Sequence, residues 1–145
     1  MLKIFKAVWF VSVFAVLATL LYAYASFHET VIVQDNGGSF VSLDRDVFFY
    51  TAIAVTTLVN VLVFLISAVY KKDIEFRTWF YGLVICMNFF FVIALNFIAL
   101  FNSNEKFRYG EIDFVIYGSV ALFVLWAMAW PVYVIYRKIS VKHSI

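Results

Sequence analysis

Asn60, Asn88 and Asn96 are the side chains of this chain best placed for chemistry, because each stands inside an otherwise apolar run. An amide donates and accepts hydrogen bonds but is not an acid–base group. These residues can therefore hold helices together, line a polar pocket or guide a neutral solute, but they cannot carry protons. Thr56 is one helical turn from Asn60, and Thr19 lies in the first apolar run. Asn60 is ten residues before Tyr70 and Asn88 is ten after Thr78. On antiparallel neighbours joined by the 71–77 loop, both amides fall at one depth. An unpaired amide in hydrocarbon costs several kcal/mol. Asn60 and Asn88 are thus expected to bond each other or Thr56, Thr57 or Thr19. Asn96 should sit higher, level with Tyr22 and Thr51. Polar residues in bundles commonly serve as interhelical glue, and a small polar pathway is the competing role.

Other chemistries lack their residues. Haem inside a bundle needs axial ligands at depth, yet His28 and His143 lie at an outer helix end and in the C-terminal tail. Thiol redox relays need paired cysteines, and Cys86 is the only one. Proton-coupled transport needs a titratable carboxylate within a span. No paired acids, serine–histidine pair or metal motif suits intramembrane proteolysis, and the loops are too short for a nucleotide site. No cofactor, metal or catalytic residue is expected. A four-helix fluoride channel with Asn and Phe in its pore is only loosely matched by Asn60, Asn88 and Phe89. The one-sided charge distribution argues against its antiparallel assembly.

The elements that must position these residues follow from the apolar pattern. Four runs, roughly 7–27, 47–70, 79–101 and 114–136, contain no charged side chain. Each reaches the ~20 residues needed to cross ~30 Å of hydrocarbon. The chain has 145 residues, 66% hydrophobic and 14% charged, with mean hydropathy +0.97. Soluble domains carry about 25% charged residues. The expected fold is an all-α membrane protein, a four-transmembrane-helix bundle in one domain. Its helices are placed at about 4–27, 46–70, 78–101 and 112–136.

Thr30 to Val33 is β-branched, Asp35-Asn36-Gly37-Gly38 is turn chemistry, and Phe40-Val41 follows. An external hairpin over 30–41 is expected, turning on Asn-Gly, with Ser42 or Asp44 capping the second helix. It is marginal unless something packs on it. Ser12, Ala15, Thr19, Ala23 and Ser26 should form a small packing face on the first helix, with Phe10, Phe14, Leu17 and Leu21 opposite. Ala52, Thr56, Asn60, Val63 and Ser67 should form the second helix's inner face. Gly82 and Cys86 make a small-xxx-small step. Residues 102–113 read as a polar, irregular second external loop. Pro131 should bend the last helix by leaving the Ala127 carbonyl unpaired, and Trp126 and Trp130 should share a face.

Charge sets the orientation. Lys3, Lys6, Lys71, Lys72, Arg77, Arg137, Lys138 and Lys142 lie on one side, against Arg45, Lys106 and Arg108 on the other. Basic residues in short loops stay cytoplasmic, so both termini and the 71–77 loop are expected there. Lys3 and Lys6 before an apolar stretch ending Ala23-Tyr24-Ala25 resemble a signal peptide. The run is long for a signal core, which favours a retained helix.

The stretch Ser42-Leu43-Asp44-Arg45-Asp46-Val47-Phe48-Phe49-Tyr50 follows a glycine-containing hairpin and precedes Asn60 in mid-helix. It resembles small four-helix inner-membrane proteins of Bacteroidota-type bacteria. The resemblance implies a bacterial inner membrane and no activity, so no residue role comes from it. The expectation is a non-catalytic accessory or assembly subunit of a larger membrane complex. The alternative is a small transporter or channel for a neutral or weakly charged solute, with an Asn/Thr-lined path. The lipid bilayer is the expected surrounding and other membrane subunits or a second copy the expected partners. No basic cluster suits nucleic acid.

Overall fold

The computed structural model describes residues 1–103 and 109–142. Helix α1 spans Leu2–Ser26, strand β1 Thr30–Asp35, strand β2 Phe40–Asp44, helix α2 Arg45–Val69, helix α3 Ile74–Phe101 and helix α4 Tyr109–Lys142. All four helices are long and apolar enough to cross a membrane. Glu105, Lys106 and Arg108 of the expected 102–113 loop, and His143, lie outside the described residues.

The ends of the helices differ from the apolar runs for local reasons. Helix α3 begins at Ile74, four residues before the expected Thr78, because the Asp73 carboxylate accepts from the Phe76 amide at 2.9 Å. Glu75 in that first turn also favours the positive helix end. Asp44 rather than Ser42 caps α2, accepting from the Asp46 amide at 2.8 Å. Helix α4 continues to Lys142, beyond the expected 136, and runs through Pro131. Hydrophobicity marks only the stretch of a helix that can enter lipid, so the polar turns beyond it escape a hydropathy reading.

The hairpin is longer than 30–41, with Thr30 opposite Asp44 at its base. Its turn sits one residue later than expected. Gly37 and Gly38 adopt φ of 71° and 135°, values that favour a residue without Cβ. Asn36 instead closes the loop, its amide donating to the Ser39 carbonyl at 3.0 Å, while Asp35 Oδ1 accepts from the Gly37 amide. A bulge at Val33 interrupts the ladder.

Helix α3 is the hub. It packs along α1, α2 and α4, whereas α4 runs mainly beside α3 and meets α1 where Trp126 packs on Phe5 at 6.0 Å. The core is a series of clusters in which α1 is always present. Near the end that carries the start of α1, Val59, Val63, Tyr81 and Val84 gather with Leu2, Phe5 and Trp9. Val16, Leu20 and Leu95 follow, then Ala23, Phe27 and Val31 beneath the hairpin. The small α1 face is therefore corrected in part. Ala15 and Ser26 are exposed and Ser12 and Thr19 half-buried, while Ala23 is buried together with the bulkier Val16 and Leu20 and the half-buried Trp9. Large side chains at this spacing remove more apolar surface and fill the gap to α3. Phe10, Phe14, Leu17 and Leu21 point outward.

Candidate functional site

The most connected polar feature lies where α1, α2 and α3 meet. Asn60 and Asn88 face each other through a reciprocal pair of bonds. Asn60 Nδ2 donates to Asn88 Oδ1, and Asn88 Nδ2 donates to Asn60 Oδ1, both at 2.9 Å. The second N–H of Asn60 goes to the Thr56 carbonyl at 2.8 Å, and that of Asn88 to Ser12 Oγ at 2.9 Å. Trp9 Nε1 donates to Asn60 Oδ1 at 2.9 Å, and Ser12 Oγ donates to the Trp9 carbonyl at 2.7 Å. All four amide N–H groups of the two asparagines are spent, and Asn60 Oδ1 accepts twice. Asn88 is fully buried and Asn60 is 8% exposed.

Each helix supplies its part for a local reason. Asn60 lies before the end of α2 at Val69 and Asn88 beyond the start of α3 at Ile74, and the antiparallel packing of the two helices brings them within bonding distance. Ser12 stands ten residues from the start of α1, at matching depth. Trp9 lies one turn nearer the start of α1, and its indole N–H reaches Asn60 of α2. Its ring is also held edge-on between Phe64 and Tyr81, both at 5.7 Å. The network can brace three helices at mid-depth. It has no acid, base or nucleophile of useful reactivity, and its donors are already occupied.

The structure does not bring Thr19 or Asn96 to this centre. Thr19 Oγ1 donates to the Ala15 carbonyl and Asn96 Nδ2 to the Val92 carbonyl, each within its own helix. Asn96 is exposed. Thr56 takes part through its backbone. Ser12, expected only on a packing face, and Trp9 are the participants that sequence reasoning missed. The only signal for Trp9 was depth, because it lies one helical turn from a serine at the level of both asparagines.

A second constellation joins the first turns of α3 to the C-terminal half of α4. Trp79 Nε1 donates to the Trp126 carbonyl at 2.9 Å, and Trp126 Nε1 donates to the Trp79 carbonyl at 3.0 Å. The Trp126 indole lies flat over Gly82, where a Cβ would meet three of its ring atoms inside van der Waals distance. Trp130 meets Phe76 edge-on at 5.2 Å and packs tilted against Trp79 at 5.7 Å. Below them Glu75 Oε2 accepts from both Tyr133 Oη and Arg137 Nη1 at 3.2 Å.

A third joins the hairpin to α3. The Asn102 side chain accepts from the Ile32 amide at 2.7 Å and donates to the Ile32 carbonyl at 3.0 Å. It thus occupies the open edge of β1 as a neighbouring strand would. Among the described residues, no three of His, Cys, Asp and Glu gather as metal ligands would. No protein-family model, curated protein or solved structure matches this chain.

Proposed function

We propose that this chain is a non-catalytic, multi-pass membrane protein that serves as an accessory or assembly subunit of a larger membrane complex. The observation that carries this reading is the self-satisfied network of Asn60, Asn88, Trp9 and Ser12. Its amide donors all bond protein groups, which favours a brace over a conducting path. The position of α4 adds support. It is held along α3 and touches α1 through Phe5 against Trp126, so its outward flank, and the apolar face of α1, face lipid or the helices of another subunit. The alternative, a small transporter or channel, needs a polar route from Asn96 to Asn60. Asn96 spends a donor on its own helix and faces outward, which gives that route less support.

The placement belonging to this proposal is a bacterial inner membrane with both termini and the 71–73 turn cytoplasmic. Its support is the eight-to-three division of basic residues between the two ends of the bundle.

Purification from native membranes in mild detergent tests the role. An accessory subunit should migrate with a fixed set of larger membrane proteins, and the association should survive Asn60→Leu/Asn88→Leu replacement in the folded fraction. A chain that purifies alone and supports solute flux in vesicles, with flux lost in the double variant, would transfer the assignment to a conductor.

A further inference from the structure

The hairpin has two edges, and only one is closed. Ile32 spends its amide and carbonyl on the Asn102 side chain, so both point away from β2. In an antiparallel ladder such a residue belongs to a non-hydrogen-bonded pair, and the backbone groups of its partner point outward too. That partner is Ser42. The Arg45 amide donates to the Glu29 carbonyl at 2.9 Å and the Asn36 amide to the Ser39 carbonyl at 3.0 Å, which fixes the same alternation at both ends of β2. The amides and carbonyls of Phe40 and Ser42 and the amide of Asp44 therefore face the free edge of β2. The Asp44 carbonyl is taken by the first turn of α2, which Asp44 caps.

Strand β1 is closed by Asn102 and broken by its bulge. Strand β2, Phe-Val-Ser-Leu-Asp, carries no lysine, proline or bulge, the usual devices that blunt an edge. All five of its residues are exposed, Phe40 at 61% and Val41 at 42%. Donors and acceptors alternating at strand spacing fit an extended backbone, as in strand addition to a sheet edge.

The order of residues selects the strand. When a second β2 is set antiparallel about Ser42, the middle residue, the whole strand overlaps, and any shift of register shortens it. The Ser42 amide of each copy meets the Ser42 carbonyl of the other, and each Asp44 amide meets a Phe40 carbonyl. Val41 of one copy lies directly opposite Leu43 of the other, in the closer non-hydrogen-bonded pair where apolar side chains touch. Asp44 lies opposite Phe40, so no carboxylate of β2 faces its own copy.

We propose that two copies of this chain pair through their β2 edges, antiparallel and centred on Ser42, to form one four-stranded sheet at the hairpin end of two bundles. The pairing requires both copies to be inserted in the same direction and is independent of any larger complex.

The test expresses the full chain under two different tags in one membrane, in a Cys86→Ala background. Val41→Cys under one tag and Leu43→Cys under the other should cross-link under mild oxidation several-fold faster than either variant with itself, because directly opposed residues have Cα atoms about 4.5 Å apart, within disulfide reach. Ser42→Pro removes an amide that the hairpin's own ladder does not use. Co-purification of the two tags should be lost in that variant, while the Val31 and Leu43 amides keep their protection from hydrogen exchange. Should Ser42→Pro fail to fold, Ser42→Lys places like charges opposite each other across the axis. Tag pairing should fall several-fold, and co-expression of Ser42→Lys with Ser42→Glu should restore it. Wild-type tags that never co-purify, or pairing that survives both Ser42→Pro and Ser42→Lys, would overturn the proposal. So would faster cross-linking of Val41→Cys with itself than with Leu43→Cys. A chain that travels with larger membrane proteins but never with its second tag sinks the pairing and leaves the accessory role standing.

Discussion

At the scale of single residues, the stability of this protein is governed by polar groups that would be costly if left alone. Asn60 takes part in four side-chain bonds to three helices. Replacing it by leucine orphans the Trp9 indole and half of the Asn88 amide, at a cost of about 1–3 kcal/mol. Asn88→Leu should cost a similar amount. The double replacement should cost clearly less than the sum, because the two amides chiefly satisfy each other. Reversible unfolding in mixed micelles measures all three variants, and strict additivity would mean that the pair is not coupled. Gly82 is sensitive for a steric reason. Gly82→Ala drives a methyl into a Trp126 ring that is pinned by its own bond to Trp79, so destabilisation of about 1–3 kcal/mol is expected from overpacking. A disulfide-trapping pair across α3 and α4 should form more slowly in that variant.

At the scale of elements, the hairpin is an appendage tied to the core by few groups, whereas α4, though peripheral, packs extensively along α3. A two-stranded hairpin in water is marginal by itself, and this one persists through Val31 below and Asn102 at its edge. Asn102→Ala removes both bonds to Ile32. Hydrogen exchange at Ile32 should accelerate by orders of magnitude, while α2 and α3 amides near Asn60 and Asn88 keep their protection. The Glu75–Arg137 pair is different. Both side chains are more than half exposed, so breaking it with Arg137→Gln should change stability by less than about 1 kcal/mol. The tryptophan contacts above it hold the helix.

At the scale of the whole molecule, the asymmetry of charge predicts one topology. Cys86 is buried, so the wild-type background of thiol labelling should be low. Single cysteines at Lys72 and Lys138 should react with a membrane-impermeant reagent only from the cytoplasmic face. A cysteine at Ser39 in the hairpin turn should react only from the opposite face. Equal labelling of Ser39 and Lys72 from one side would reject a bundle inserted in a single direction.

The number and approximate limits of the helices were legible in the sequence, because expelling charge from hydrocarbon leaves an unmistakable pattern of long apolar runs. The pairing of Asn60 with Asn88 was legible as well, since a short connection fixes antiparallel register and buried amides need partners. The tertiary structure alone revealed Trp9 and Ser12 as further participants and removed Thr19 and Asn96 from the cluster. Depth along a helix can be counted, whereas the face a residue presents depends on how neighbouring helices rotate to fill space. The same reason hid the α1 stripe, where bulky packing prevails over small residues, and the peripheral seat of α4. It is set by two indoles reaching across to each other's backbone, a match between distant segments that no local pattern encodes.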